Sequence, residues 1–271
     1  TIEDRFGLTF FLSTFWVFFP MFNAATTFPG ERAVLLRDRA QGSYRLSAYF
    51  VAKQAAEIPL NWLIPSLFLI LVYWMTNINS SVGAFFQMWA LLLLGVEIST
   101  SLGMLISAAE TDPKKALTWV TILILLAHFF AGFFIDIANI PIWLRWLNWV
   151  SFMKYTFGSQ AVTVFDNDAS FSCASQDSEY AVCNQGDPNA RISGSDVLEK
   201  RSIANIPVAY ALVLLLGTLA TKLATYVVLY HRYKPRAPRV TNPGTTKGTT
   251  KGNTKGNCSS SSSARGKNTK D

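Results

Sequence analysis

The sequence predicts an all-α fold: a polytopic membrane bundle of five spanning helices with short re-entrant or interfacial outer helices. Three observations predict it. Half of the 271 residues are hydrophobic and only 15% are charged, against about 25% in an average soluble domain. Uncharged runs reach the ~20 residues needed to cross a bilayer core: Phe6–Gly30 has no charge, and neither do the 39 residues Ile58–Val96. The net charge of +7 is local, because residues 232–271 hold 10 Lys and Arg against one acid, while the rest is slightly acidic. This pattern excludes a disordered, collagenous or disulfide-dense chain for the body, and it argues against a soluble nucleic-acid binder.

The first span is expected at about 6–28. Residues 1–28 have no basic leading region and no small-residue cleavage site, so this segment reads as a span and not a signal peptide. The long uncharged run fits two spans, about 55–76 and 82–108, joined by a turn at 77–81. A fourth span is expected at about 116–135 and a fifth at about 206–230. Short-loop Lys and Arg set the orientation. Arg32, Arg37, Arg39, Arg45 and Lys53 lie in the first connection, Lys114 and Lys115 in the next one on the same side, and ten bases in the tail. The turn at 77–81 has none, so the tail is expected in the cytoplasm and the acidic loop 136–205 outside.

Within that loop, Trp143, Trp146 and Trp149 recur every three residues, on one helical face. Trp favours the membrane interface, so one or two short helices are expected in or dipping into the outer leaflet, with 166–203 as an exposed cap. Cys173 and Cys183 fall in the cap, where a disulfide persists, and they are expected to pair, leaving Cys258 free. Asn79-Ser80-Ser81 is an outer glycosylation sequon in a loop too short to be modified. The tail, 236–271, repeats Gly-Thr-Thr-Lys and ends in a Ser run; it is expected to be disordered, since it has no apolar area to bury.

Several strings carry a family resemblance. Phe28-Pro29-Gly30-Glu31-Arg32 is followed by Arg37-Asp38-Arg39, Gly42-Ser43-Tyr44-Arg45, Ser47-Ala48-Tyr49-Phe50 and Glu57-Ile58-Pro59. Gly132-Phe133-Phe134, Ile140-Pro141 and the spaced Trp residues follow. Together they resemble the membrane (permease) domain of the G subfamily of ABC transporters, the White type, over about 1–235. Asp38 stands where that family usually has Glu, which keeps the charge. The resemblance implies that the five spans are the family's second to sixth helices. It also implies that a first span and a nucleotide-binding domain are missing, since no Gly-x-x-x-x-Gly-Lys-Ser/Thr phosphate loop is present.

The segment 29–45 is too charged for lipid and is expected as a short amphipathic surface helix. The resemblance makes it the coupling element to the ATPase domain, carried by Glu31, Arg32, Arg37, Asp38, Tyr44 and Arg45. It also implies a substrate cavity lined by Phe11, Phe15 and Phe18 of the first span and by Thr121, Leu125 and His128 of the fourth, closed by an apolar gate, Phe133 and Phe134. Asn61 and Glu97 are polar groups inside spans, where such groups are costly and face a bundle interior or water. Glu97 is expected to pair with a neighbouring span, and Lys222 to snorkel towards the inner surface. Relatives with a third loop cysteine leave an intermolecular bond as a rival for Cys173 and Cys183.

No catalytic triad, paired acid-base carboxylates or metal cluster appears in the sequence, so no enzymatic activity is expected of this chain alone. ATP and Mg would enter only through the nucleotide-binding domain. The expected function is the membrane half of an ATP-driven exporter of amphipathic or lipid-like small molecules. It would be a homodimer or heterodimer of half-transporters in the plasma membrane, touching membrane lipid but no nucleic acid. Two alternatives compete: an ion- or proton-coupled channel or secondary transporter using Glu97 and His128, and a non-transporting membrane scaffold.

Overall fold

The computed structural model describes residues 2–41, 44–76, 81–133, 141–165, 170–172, 191–201, 203 and 206–232. The chain divides into a body, 1–235, and a terminal unit, 236–271, which lies outside the described residues. The helices are α1 (Ile2–Gln41), α2 (Leu46–Thr76), α3 (Val82–Ala109), α4 (Pro113–Phe129), α5 (Arg145–Val150), α6 (Phe152–Val164), α7 (Gly194–Lys200) and α8 (Pro207–Arg232). Strands β1 (Ser170–Ser172) and β2 (Arg191–Ser193) pair antiparallel, with Phe171 opposite Ile192.

Four of these helices, α1, α2, α3 and α8, are long and apolar enough to cross a membrane, one fewer than expected. The span expected at 116–135 is the exception. It starts cleanly, with the Asp112 carboxylate accepting the Lys114 backbone N–H at 3.0 Å and Pro113 in the first turn. The helix then stops at Phe129, and Gly132 turns the chain with φ 89°. Its 17 residues rise only about 25 Å, short of a ~30 Å hydrocarbon core.

The first span also departs from expectation. The helix does not end at 28: α1 runs unbroken through Pro29 and Gly30 to Gln41, so residues 29–41 continue the same helix and form no separate one. Proline removes one helix hydrogen bond, and packing holds the helix through it. Phe28 and Leu35 of α1 are buried in a cluster with Leu46, Met104 and Leu229, and the Phe28 N–H also donates to the Ser107 hydroxyl of α3 at 2.9 Å.

Helix α3 is the centre of the bundle, packing most extensively on α1 and α8. Glycine makes the α1 contact close. A Cβ on Gly103 would lie 2.5 Å from the Met21 carbonyl oxygen and 2.8 Å from the Ala24 Cβ. Buried hydroxyls are satisfied locally, as Thr100, Thr156 and Thr218 each donate to the carbonyl four residues back. That internal bonding is what allows polar residues at bilayer depth.

The outer helices form as expected, but they behave differently from each other. Trp143, Trp146 and Trp149 are exposed on and beside α5, and the Lys154 ammonium sits 4.9 Å from the Trp149 ring centroid. Helix α6 dips inward and is almost wholly buried, with the Ser13 hydroxyl of α1 donating to Gln160 at 3.0 Å. Arg201, just after α7, ties that end of the bundle to the start of α1, reaching Glu3 at 2.9 and 3.1 Å while covering the Phe6 ring.

Candidate functional site

The residues expected to line a substrate cavity fall on adjoining faces of α1 and α4. Seven residues are close to two helical turns, so Phe11 and Phe18 stack along one side of α1 with Thr14 between them. On α4 the same geometry aligns Thr121, Leu125 and His128. The two faces meet at His128, whose Nε2 lies 3.1 Å from the Thr14 hydroxyl. Its Nδ1 is 2.8 Å from the Ile124 carbonyl, which only accepts, so Nδ1 carries the proton; in the neutral ring the Thr14 hydroxyl then donates to Nε2. Phe11 and Leu125 are each 54% exposed, and Phe18 and Thr121 are exposed beside them. The result is an open, aromatic and aliphatic surface with one imidazole at its seam.

Phe15 lies at the edge of this face, its ring centroid 5.9 Å from that of Phe11. It turns towards α2, where its ring stacks on Phe68 with centroids 5.8 Å apart and packs on Phe19 at 4.6 Å. Forty degrees of helical rotation separate it from Phe11, enough for α2 to capture it.

Phe133 is partly buried against the core. It stacks on Phe10 at 4.1 Å with the rings nearly parallel, beside Phe6 and Phe157. The left-handed backbone at Gly132 aims it there. Phe134, its expected partner in a gate, lies outside the described residues, as do Cys173, Cys183 and the Asn79 sequon.

The expected coupling residues sort into two groups. Glu31 is engaged within the chain: its carboxylate accepts from the Lys53 ammonium and from the Tyr49 hydroxyl, both at 2.6 Å, and Lys53 also reaches Glu57 at 3.3 Å. The Tyr44 hydroxyl donates to Asp38 at 3.2 Å, and the Tyr44 ring stacks on Tyr49. Arg32, Arg37 and Arg45 are exposed.

The profile of the ABC-2 type transporter family matches residues 1–165. The chain belongs to that family. As an ABC-2 membrane domain it resembles ABC transporter G family member 21 of Arabidopsis thaliana, at 34% identity over 174 residues, which cover 64% of this chain and 26% of that protein. ABC transporter G family member 22 of the same plant is 38% identical over 156 residues, 58% of this chain and 20% of that protein. Protein white of Drosophila melanogaster is 33% identical over 149 residues, 55% of this chain and 22% of that protein. The matched region thus spans only about a fifth to a quarter of the relatives' length.

One charge pair lies inside the bundle. The Glu97 carboxylate of α3 takes the Lys222 ammonium of α8 at 2.8 Å and the Trp62 indole N–H of α2 at 2.8 Å. Lys222 therefore does not snorkel to the surface; a partner at its own depth costs less than stretching away from it. Asn61 lines an open cleft between α1 and α2 with Asn23, Thr27, Glu57 and Thr100, a cavity of about 230 Å³. Sequence reasoning missed this cleft. Its signal was the spacing of Glu57 and Asn61, one turn apart at the start of the uncharged stretch of α2. Among the described residues no group of His, Cys, Asp and Glu is placed to hold a metal ion.

Proposed function

We propose that this ABC-2 domain is the membrane half of an ATP-driven exporter of amphipathic or lipid-like small molecules, working as a dimer of half-transporters. Nucleotide would be hydrolysed by ATPase domains, with Arg32, Arg37 and Arg45 offered to them as exposed cations. The open α1–α4 face carries this reading. Phe11, Phe18, Thr121 and Leu125 leave a broad apolar surface beside a hydrogen-bonded His128, and two such faces across a two-fold axis would enclose a flat apolar cavity. Ring faces there suit planar, weakly polar molecules, with Thr121 and His128 as sparse polar contacts.

The experiment uses the full-length protein in proteoliposomes. Phe11→Ala and Leu125→Ala are expected to reduce ATP-dependent uptake of an amphipathic dye and its stimulation of ATPase, with thermal stability held within about 0.5 kcal/mol, as for exposed side chains. Wild-type transport in both variants would overturn the reading.

A further inference from the structure

We propose that the α1–α2 cleft is a separate binding site for a single-chain amphipath with a protonated amine headgroup. The cleft lies about half a helical turn round α1 from Phe11 and Phe18, so it is distinct from the α1–α4 face. The two helices run antiparallel, Phe15 meeting Phe68 at one end and Glu31 meeting Lys53 at the other. Between these contacts they part, and the space of about 230 Å³ is walled by Asn23 and Thr27 of α1, Glu57, Leu60 and Asn61 of α2, and Thr100 of α3.

The polar wall is unfinished. Neither the Asn23 nor the Asn61 carboxamide has a side-chain hydrogen bond among the described residues. Pro65 has no N–H to give the Asn61 carbonyl four residues earlier, so that oxygen is also without its helix partner. Asn23 is exposed and Asn61 half-buried, so both carboxamides are reachable by a ligand that hydrogen-bonds to them. The charge has a sign as well. Lys53 lies between two acidic side chains, Glu31 and Glu57, so acids outnumber bases at the edge of the cleft. The carboxamides both donate and accept, so the charge sets the preference: a carboxylate headgroup is repelled by the acidic cluster, whereas an ammonium can donate to Glu57, the carboxamide oxygens and the Asn61 carbonyl.

Beyond the cleft, on the side away from Lys53, the contact between the two helices is apolar. Phe19 lies one turn from Asn23 and packs on Phe15, which stacks on Phe68. An alkyl chain whose amine rests at Glu57 would run along this aromatic shelf. A polar cleft next to an aromatic helix contact favours an amphipath over a wholly apolar molecule.

The test is photolabelling of the full-length protein in phosphatidylcholine nanodiscs without ATP, so binding is read independently of transport. The probe is octadecylamine with a diazirine next to its headgroup, compared with the matching octadecanol and stearic acid probes. Adducts of the amine are expected within 19–27 and 57–64, with about fivefold or more excess over the alcohol and less still for the acid. Glu57→Gln should bring amine labelling down to that of the alcohol, and Leu60→Trp, which fills the cleft, should remove the labelling by all three probes. If Glu57→Gln does not elute as a folded protein, Leu60→Trp and Asn61→Leu decide. Equal labelling by the three probes, as for bulk lipid, or wild-type labelling of Leu60→Trp, would overturn the proposal. Absence of selective amine labelling in wild-type protein that still transports would sink this site alone, and selective labelling of wild-type protein without any transport would sink the exporter reading alone.

Discussion

Lys222 of α8 bonds to Glu97 of α3 at 2.8 Å, inside the bundle and away from either end of the two helices. The Trp62 indole occupies the other carboxylate oxygen. Both side chains are largely buried, at 24% and 13% exposure, so each neutralises a charge that would otherwise sit alone in an apolar environment.

Breaking that pair from one side should be worse than removing both charges. Glu97→Gln strands the Lys222 ammonium and is expected to cost about 3–5 kcal/mol, whereas Glu97→Gln combined with Lys222→Met should recover most of it. Thermal melts of the four proteins in nanodiscs give the coupling energy directly. Under the exporter reading the double variant still couples uptake to ATP; its complete loss of transport in a stable protein would favour a proton path through Glu97.

The α1–α3 contact should tolerate no side chain at Gly103. Its Cβ would meet the Met21 carbonyl, which is backbone and cannot swing aside. Gly103→Ala is expected to destabilise by about 1–3 kcal/mol through overpacking, and Gly30→Ala, whose Cβ meets nothing within 4 Å, serves as the control. Equal melting temperatures for the two variants would contradict the close packing.

Gly132 holds φ 89° between α4 and Phe133. A side chain there costs about 1–2 kcal/mol, so Gly132→Ala should lower stability by that amount. Phe133→Ala should lower it further, by about 3–5 kcal/mol, because the ring packs among Phe6, Phe10 and Phe157. A Phe133→Ala variant with unchanged stability and altered transport would instead mark Phe133 as a gate.

The charged end of α1 separates two kinds of residue. Glu31→Arg removes the bonds to Lys53 and Tyr49; since the carboxylate is partly exposed, the loss should be about 1 kcal/mol, largely restored when Lys53→Glu is added. Arg32→Glu and Arg37→Glu alter exposed positions and should leave melting unchanged within about 0.5 kcal/mol, while reducing substrate-stimulated ATPase in the full-length protein. Unaltered coupling in both arginine variants would remove them from the ATPase contact.

Composition and charge spacing were enough to read the helical membrane bundle, the positions of α2, α3 and α8 and the presence of short outer helices. Each of these follows from local properties: uncharged length sets a span, and the recurrence of Trp143, Trp146 and Trp149 sets one helical face. The Phe11–Phe18 and Thr121–Leu125–His128 alignments were legible for the same reason, since helical periodicity alone puts them in register. What required the tertiary structure was everything decided by a neighbour. Pro29-Gly30 looks like a stop in sequence, yet α1 continues, because Phe28 and Leu35 are buried against α2, α3 and α8. Lys222 looked free to reach the surface until α3 brought Glu97 within bonding distance. Phe15 shares a helical side with Phe11 and is claimed by Phe68 of α2. The α1–α2 cleft arises from two helices parting between an aromatic contact and an ion pair, a separation that neither helix encodes by itself. Periodicity fixes where a side chain sits on its own helix; which neighbour it meets depends on how helices distant in sequence pack together.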